Sequence, residues 1–206
     1  MSTRKGRLAA LALAAPLSVS VLGAQAEGAN AAVKPAAASA GVTANQPAPT
    51  SAPRKDPPIG PYLSRAIKIA KSQVGYKEYR KGGRTNCTKY GRWYGKNCTE
   101  WCDIFVSWVY HKAEIGSSAG GKHSYVPSHA AWFRRHHRFT HTPDEGSIIF
   151  YDQNGHDGED HIGIVTKVSR KYVWTVDGNY RDAVRTRKLR RNSRVIYGYG
   201  LVRWWP

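Results

Sequence analysis

Glu100-Trp101-Cys102-Asp103-Ile104-Phe105-Val106-Ser107-Trp108-Val109-Tyr110-His111-Lys112 is the stretch that decides how the rest of the chain is read. Ile104, Phe105, Trp108 and Val109 recur at helical spacing, so a helix with an apolar face is predicted over residues 100–112, with Cys102 in its first turn. A helix over 62–74 precedes it, with Leu63, Ala66, Ile67 and Ala70 on one face, Arg65, Lys68 and Lys71 on the other, and Gly75 at its end. A third is predicted over 128–136, behind Pro127. After Pro143 the period changes. Residues 147–151, 161–168, 172–176 and 197–202 are short β-branched or aromatic runs separated by Gly, Asp and Asn, which predicts strands. Helices first and strands second imply an α+β fold.

The ends of this 206-residue chain differ in character. Arg4, Lys5 and Arg7, then an apolar run from Leu8 to Gly23 and the small-x-small triplet Ala24-Gln25-Ala26, predict a signal peptide over 1–26. The run contains Pro16 and falls short of the roughly 20 residues a bilayer span needs, which argues against an anchor. Residues 27–60, rich in Ala, Pro, Ser and Thr, cannot bury enough apolar surface to offset the entropy of ordering and are read as a linker. Residues 61–206 hold all seven Trp and have the size of one domain. That domain carries 26 Lys and Arg against 12 Asp and Glu, a net +14 of the chain's +18, which favours polyanionic partners. A nucleic-acid partner is the least expected, because export is predicted and no helix-turn-helix, RNA-binding or zinc-finger pattern is present.

Three cysteines leave one over in an oxidising compartment. Cys87 and Cys98 flank a short aromatic loop and are read as a disulfide, so Cys102 is the free thiol. A helix N-terminus favours the thiolate, and the Cys102 N–H supplies part of an oxyanion hole; Asn97 is no more than a candidate for the second donor. An isolated cysteine on an apolar helix is more often structural. Here His161 opens an apolar strand, and the polar turn Asp177-Gly178-Asn179 follows one strand later. Nucleophile, base and orienting residue in this order match Cys-His-Asn catalysis. His136, His137, His141 and His156 show neither a Cys-x-x-Cys nor a His-Glu-x-x-His spacing, so no metal and no other cofactor is expected.

Four stretches in order carry a resemblance: 100–108, Trp132-Phe133-Arg134-Arg135, 143–151 and Asp160-His161-Ile162-Gly163-Ile164-Val165. Each is weak alone; together, over most of 64–201, the chain resembles the CHAP family of cysteine- and histidine-dependent amidases and peptidases. The resemblance implies a papain-like cysteine-peptidase fold of the NlpC/P60-CHAP type, with N-terminal helices packed on an antiparallel sheet. It implies Cys102 as nucleophile, His161 as base, and Asp177 and Asn179 as the acid and amide beside it. The family more often has Glu where Asp177 stands, which leaves the division between Asp177 and Asn179 open. NlpC/P60 enzymes favour a third His, against which Asn179 argues. Some CHAP enzymes bind calcium before the nucleophile, but residues 82–99 hold no acid, so calcium is not expected.

The expectation is therefore a secreted, monomeric, wall-associated hydrolase that cuts an amide of bacterial peptidoglycan, either the link from glycan to peptide or a peptide bond. The alternative is a non-catalytic basic wall-binding protein that keeps the fold. Trp101, Tyr94 and Asp160 are candidate substrate contacts. The acids at 152, 157, 159 and 160 form a negative rim that either receives an amino group or is a solvated turn. The seven basic residues within 181–194 are read as a solvated face or a hold on anionic wall polymer.

Overall fold

The computed structural model describes residues 58–156 and 158–204. The predicted signal peptide and nearly all of the predicted linker lie outside the described residues. Helices α1 (Gly60–Ser72), α2 (Lys89–Tyr94), α3 (Cys102–Lys112) and α4 (Val126–Arg135) all come before the strands β3 (Phe139–Thr140), β4 (Ile148–Tyr151), β5 (His161–Val168), β6 (Tyr172–Asp177), β7 (Arg185–Arg190) and β8 (Ile196–Gly200). These six strands form one antiparallel sheet in the order β3-β8-β4-β5-β6-β7, and β1 (Tyr79–Lys81) and β2 (Arg84–Cys87) form a separate hairpin. Helices before an antiparallel sheet make the fold α+β, as the sequence pattern implied. Among the described residues no helix is long and apolar enough to cross a membrane.

Side-chain alternation explains the layering. On β4, Ile148 and Phe150 join Ile162, Ile164 and Val176 under Ile104, Phe105 and Val109 of α3, whereas Ile149 and Tyr151 join Val165, Val173 and Tyr199 in a second cluster. Each large apolar side chain removed from water here contributes about 1.5–3 kcal/mol before the entropy of ordering is subtracted. Helix α1 buries Ala66 and Ala70 and packs Tyr62, Leu63 and Ile69 against the core; Ile67, expected on that face, is only half-buried.

Several elements differ from the sequence pattern, which predicted neither the β1–β2 hairpin nor β3. The loop between Cys87 and Cys98 contains α2, capped by the Thr88 side chain accepting from Gly91 N and closed by Gly95 at φ 90°. A six-residue helix is too short to display an apolar period. The basic run contains β7, whose only apolar residue is Leu189, so no alternation marked it. Helix α4 begins two residues early, which places Pro127 in its first turn, where no intrahelical N–H is needed.

Candidate active site

Cys102 is the first residue of α3, a free thiol 8% exposed. The segment entering it is fastened at several points. Cys87 and Cys98 form a disulfide. Trp101 Nε1 donates to Glu78 Oε2 at 3.1 Å, and Glu100 accepts from Asn86 Nδ2 at 3.2 Å and from Asn179 Nδ2 at 2.8 Å. Burial pushes the Cys102 thiol well up, the charges of Asp103 and Glu100 push the same way, and the N–H groups of Asp103 and Cys102 pull it down. Burial wins. The helix N-terminus was expected to favour the thiolate, but desolvation outweighs the two N–H groups and favours the thiol.

His161 opens β5 and Asp177 closes β6, and both are buried. The antiparallel pairing of these strands brings His161 Nε2 to 3.3 Å from Asp177 Oδ2. This is a close approach without hydrogen-bond alignment, and Nε2 has no hydrogen-bond partner. Asp177 accepts instead from the Tyr151 hydroxyl at 3.2 Å and from Arg187 Nη1 at 3.1 Å, while the Tyr151 hydroxyl also meets Thr175 Oγ1 at 3.0 Å. A Cβ on Gly163 would lie 2.1 Å from Asp177 Oδ1, so only glycine leaves room for this carboxylate. A Cβ on Gly178 would lie 2.5 Å from Phe105 Cβ, which shows how closely the turn after β6 approaches α3. Helix α3 packs on both β5 and β6, so the elements headed by Cys102 and His161 adjoin.

Cys102 opens onto a cleft of about 370 Å³ lined by Glu100, Ser124, Tyr125, Val126, Pro127, Glu159 and Asp160. Tyr125 is 65% exposed. His161 follows Asp160 directly in the chain and is not itself a lining residue. Glu159 pairs with Arg134, and Asp160 accepts from the N–H groups of Gln153 and Asn154 at 2.8–3.0 Å. Asp157 lies outside the described residues.

The other candidates sit elsewhere. Trp101, expected to face substrate, is fully buried and stacks on Tyr90 with ring centroids 5.6 Å apart, because the large apolar ring completes the core beneath α3. Tyr94 is partly buried under Lys122, whose Nζ lies 4.8 Å from its ring centroid, and it does not line the cleft. Asn179, in the left-handed region at φ 57°, directs its amide to Glu100. The Asn97 amide is held by Thr88 N and the Tyr79 hydroxyl. Among the described residues no group of three or more His, Cys, Asp and Glu is arranged to hold a metal ion.

Sequence reasoning missed four side chains around the site. Tyr151 and Arg187 come from strands neighbouring β5 and β6, and their spacing from His161 follows no period. Asp103 and His129 are the others. His129 Nδ1 is 2.6 Å from Asp103 Oδ1 and Nε2 is 2.7 Å from the Ala119 carbonyl oxygen, with both residues buried. A carbonyl only accepts, so Nε2 carries a proton; a second proton lies between Nδ1 and Oδ1.

Residues 78–179 match the family model described as CHAP domain, a span that includes Cys102, His161, Asp177 and Asn179. The chain belongs to the CHAP family through this domain, whose members are in general cysteine-dependent hydrolases. Curated proteins gave no match. Among solved structures, the chain is similar to the crystal structure of Ly7917 (14% identity, TM-score 0.43, 66% of this chain and 61% of that one). It is also similar to NlpC1 from Trichomonas vaginalis (15% identity, TM-score 0.44, 69% of this chain and 45% of that one). The chain spans less than two thirds of the length of either.

Proposed function

We propose that this protein is a secreted peptidoglycan hydrolase that cuts a wall amide through a thioester on Cys102. The observation that carries the reading is the CHAP-domain match over residues 78–179, a span that contains a free cysteine at a helix start and a histidine beside a buried carboxylate. The thiol proton passes to His161 as the sulfur attacks the amide carbon, and the Cys102 N–H faces the developing oxyanion. The carbon–nitrogen bond breaks, His161 protonates the leaving amine, and water, deprotonated by His161, releases the acyl product and restores the thiol. Burial works against the thiolate, so the transfer to His161 is placed with substrate attack.

Asp177 is the residue we assign to orient His161, with Tyr151 and Arg187 fixing its carboxylate; Asn179 we assign to holding Glu100. Glu100, Glu159 and Asp160 around the cleft favour a substrate that brings an amino group. The predicted export signal and the Cys87–Cys98 disulfide support an extracellular, wall-associated place of action. The test is release of fragments from purified wall, identified by mass. Loss of release in Cys102→Ala with retained wall binding is expected; unchanged release would overturn the enzyme reading and leave a basic wall-binding protein.

A further inference from the structure

The far end of the sheet from His161 carries a surface that the hydrolysis does not use. On β6, Tyr172 and Trp174 point to one face, and their cross-strand partners on β7 are Arg190 and Lys188. Lys167 of β5 pairs with Trp174 on its other side. The lysine ammonium groups lie over the rings: Lys188 Nζ is 4.3 Å from the Tyr172 centroid and 5.4 Å from that of Trp174, and Lys167 Nζ is 5.1 Å from Trp174. Both rings are partly exposed, while Lys167, Lys188 and Arg190 are exposed.

This strip runs into a groove of about 340 Å³ where the β5–β6 turn meets the end of β7. Arg170, Lys171, Arg190 and Arg191 line it with Tyr172 and Asn192, and no acid is among the lining residues. The Arg191 N–H donates to the Lys171 carbonyl at 3.0 Å, which ties its two walls together. The nearby acid, Glu145, accepts from Val168 N at 3.1 Å. Counting residues along β5 at about 3.3 Å each, the strip begins about 20 Å from His161.

We propose that this strip and groove bind a phosphate-bearing glycan or polyol polymer, at a site separate from the cleft that holds Cys102. Cations spaced along two strands at about 7 Å for every second residue match repeated anionic groups better than one isolated phosphate. The half-exposed rings between them offer flat faces for the C–H surface of sugar or polyol units. Its effect is to hold the enzyme on an anionic wall while the cleft works.

The test is retention on purified wall, with and without its phosphodiester polymer stripped by acid, and on the isolated polymer, using the full mature chain carrying Cys102→Ala so that hydrolysis plays no part. The choice of a wall polymer rests on the wall reading above, but retention is measured without turnover, so failure of one does not mimic failure of the other. Lys188→Glu with Arg190→Glu is expected to lower retention on unstripped wall at least about tenfold and make its salt dependence shallower. Lys68→Glu with Lys71→Glu, exposed on α1 and equal in charge change, is expected to retain normally. Trp174→Ala is expected to weaken binding a few-fold at unchanged salt dependence, and inorganic phosphate to compete only weakly. Equal loss in the α1 variant would reduce the effect to net charge and overturn the proposal. So would an equal loss on stripped wall, competition by free phosphate as strong as by the polymer, or tighter binding of duplex DNA at matched ionic strength.

Discussion

His161 with Asp177, on neighbouring strands, and His129 with Asp103, on helices α4 and α3, are two buried histidine–carboxylate pairs, and the bonds around them differ. Both nitrogens of His129 are held, at 2.6 Å by Asp103 and 2.7 Å by Ala119, and His123 stacks on its ring at 4.2 Å. Removing a proton there would leave a buried acceptor unmatched. His161 Nε2 approaches Asp177 at 3.3 Å without a hydrogen bond, and the carboxylate it faces is already satisfied by Tyr151 and Arg187. The more completely bonded histidine is suited to holding structure, and the less completely bonded one to exchanging a proton.

The largest expected effect separates the two by activity. His161→Ala should lower wall hydrolysis about 10³-fold, in the range lost when a general base is removed, with little change in melting temperature. A comparable loss of activity in His129→Leu with stability intact would erase the contrast. His129→Leu is expected instead to destabilise the domain by about 3–5 kcal/mol in urea titration, because it leaves the Asp103 carboxylate buried without its partner.

Gly163→Ala comes next. Its methyl would occupy the place of Asp177 Oδ1, so activity should fall at least about tenfold and overpacking should cost about 1–3 kcal/mol. Full activity in this variant would remove Asp177 from the orienting role. The thiol can be followed by itself through iodoacetamide labelling of Cys102. With its proton held tightly by burial, the thiolate fraction is small at neutral pH and labelling should climb about tenfold per pH unit through the usual thiol range. A plateau already present at neutral pH would mean that the thiolate and imidazolium exist before substrate arrives. The smallest effect is expected for Asn179→Ala: loss of one bond to the exposed Glu100 should cost about 1 kcal/mol or less and lower turnover only a few-fold. A loss as large as that of His161→Ala would return the orienting role to the amide.

How far the pattern of residues reached can be judged element by element. The α3 stripe and the apolar run of β5 lie where periodicity put them, within two residues, because a long period survives local noise. Helix α2 and strand β7 were invisible for opposite reasons, one too short and the other nearly free of apolar residues. Trp101, next to Cys102 in the chain, was expected at the cleft and is in the core, because consecutive residues at a helix start point in different directions.

From the amino-acid sequence alone came the order of helices and strands, the family resemblance, the odd cysteine and the excess of positive charge, since each is a property of composition or local period. The side chains gathered around Asp177, the pairing of Asp103 with His129 and the burial that pushes the Cys102 thiol up were decided only by tertiary structure. Strand register and depth of burial set those distances and desolvation, and neither quantity is a function of spacing along the chain.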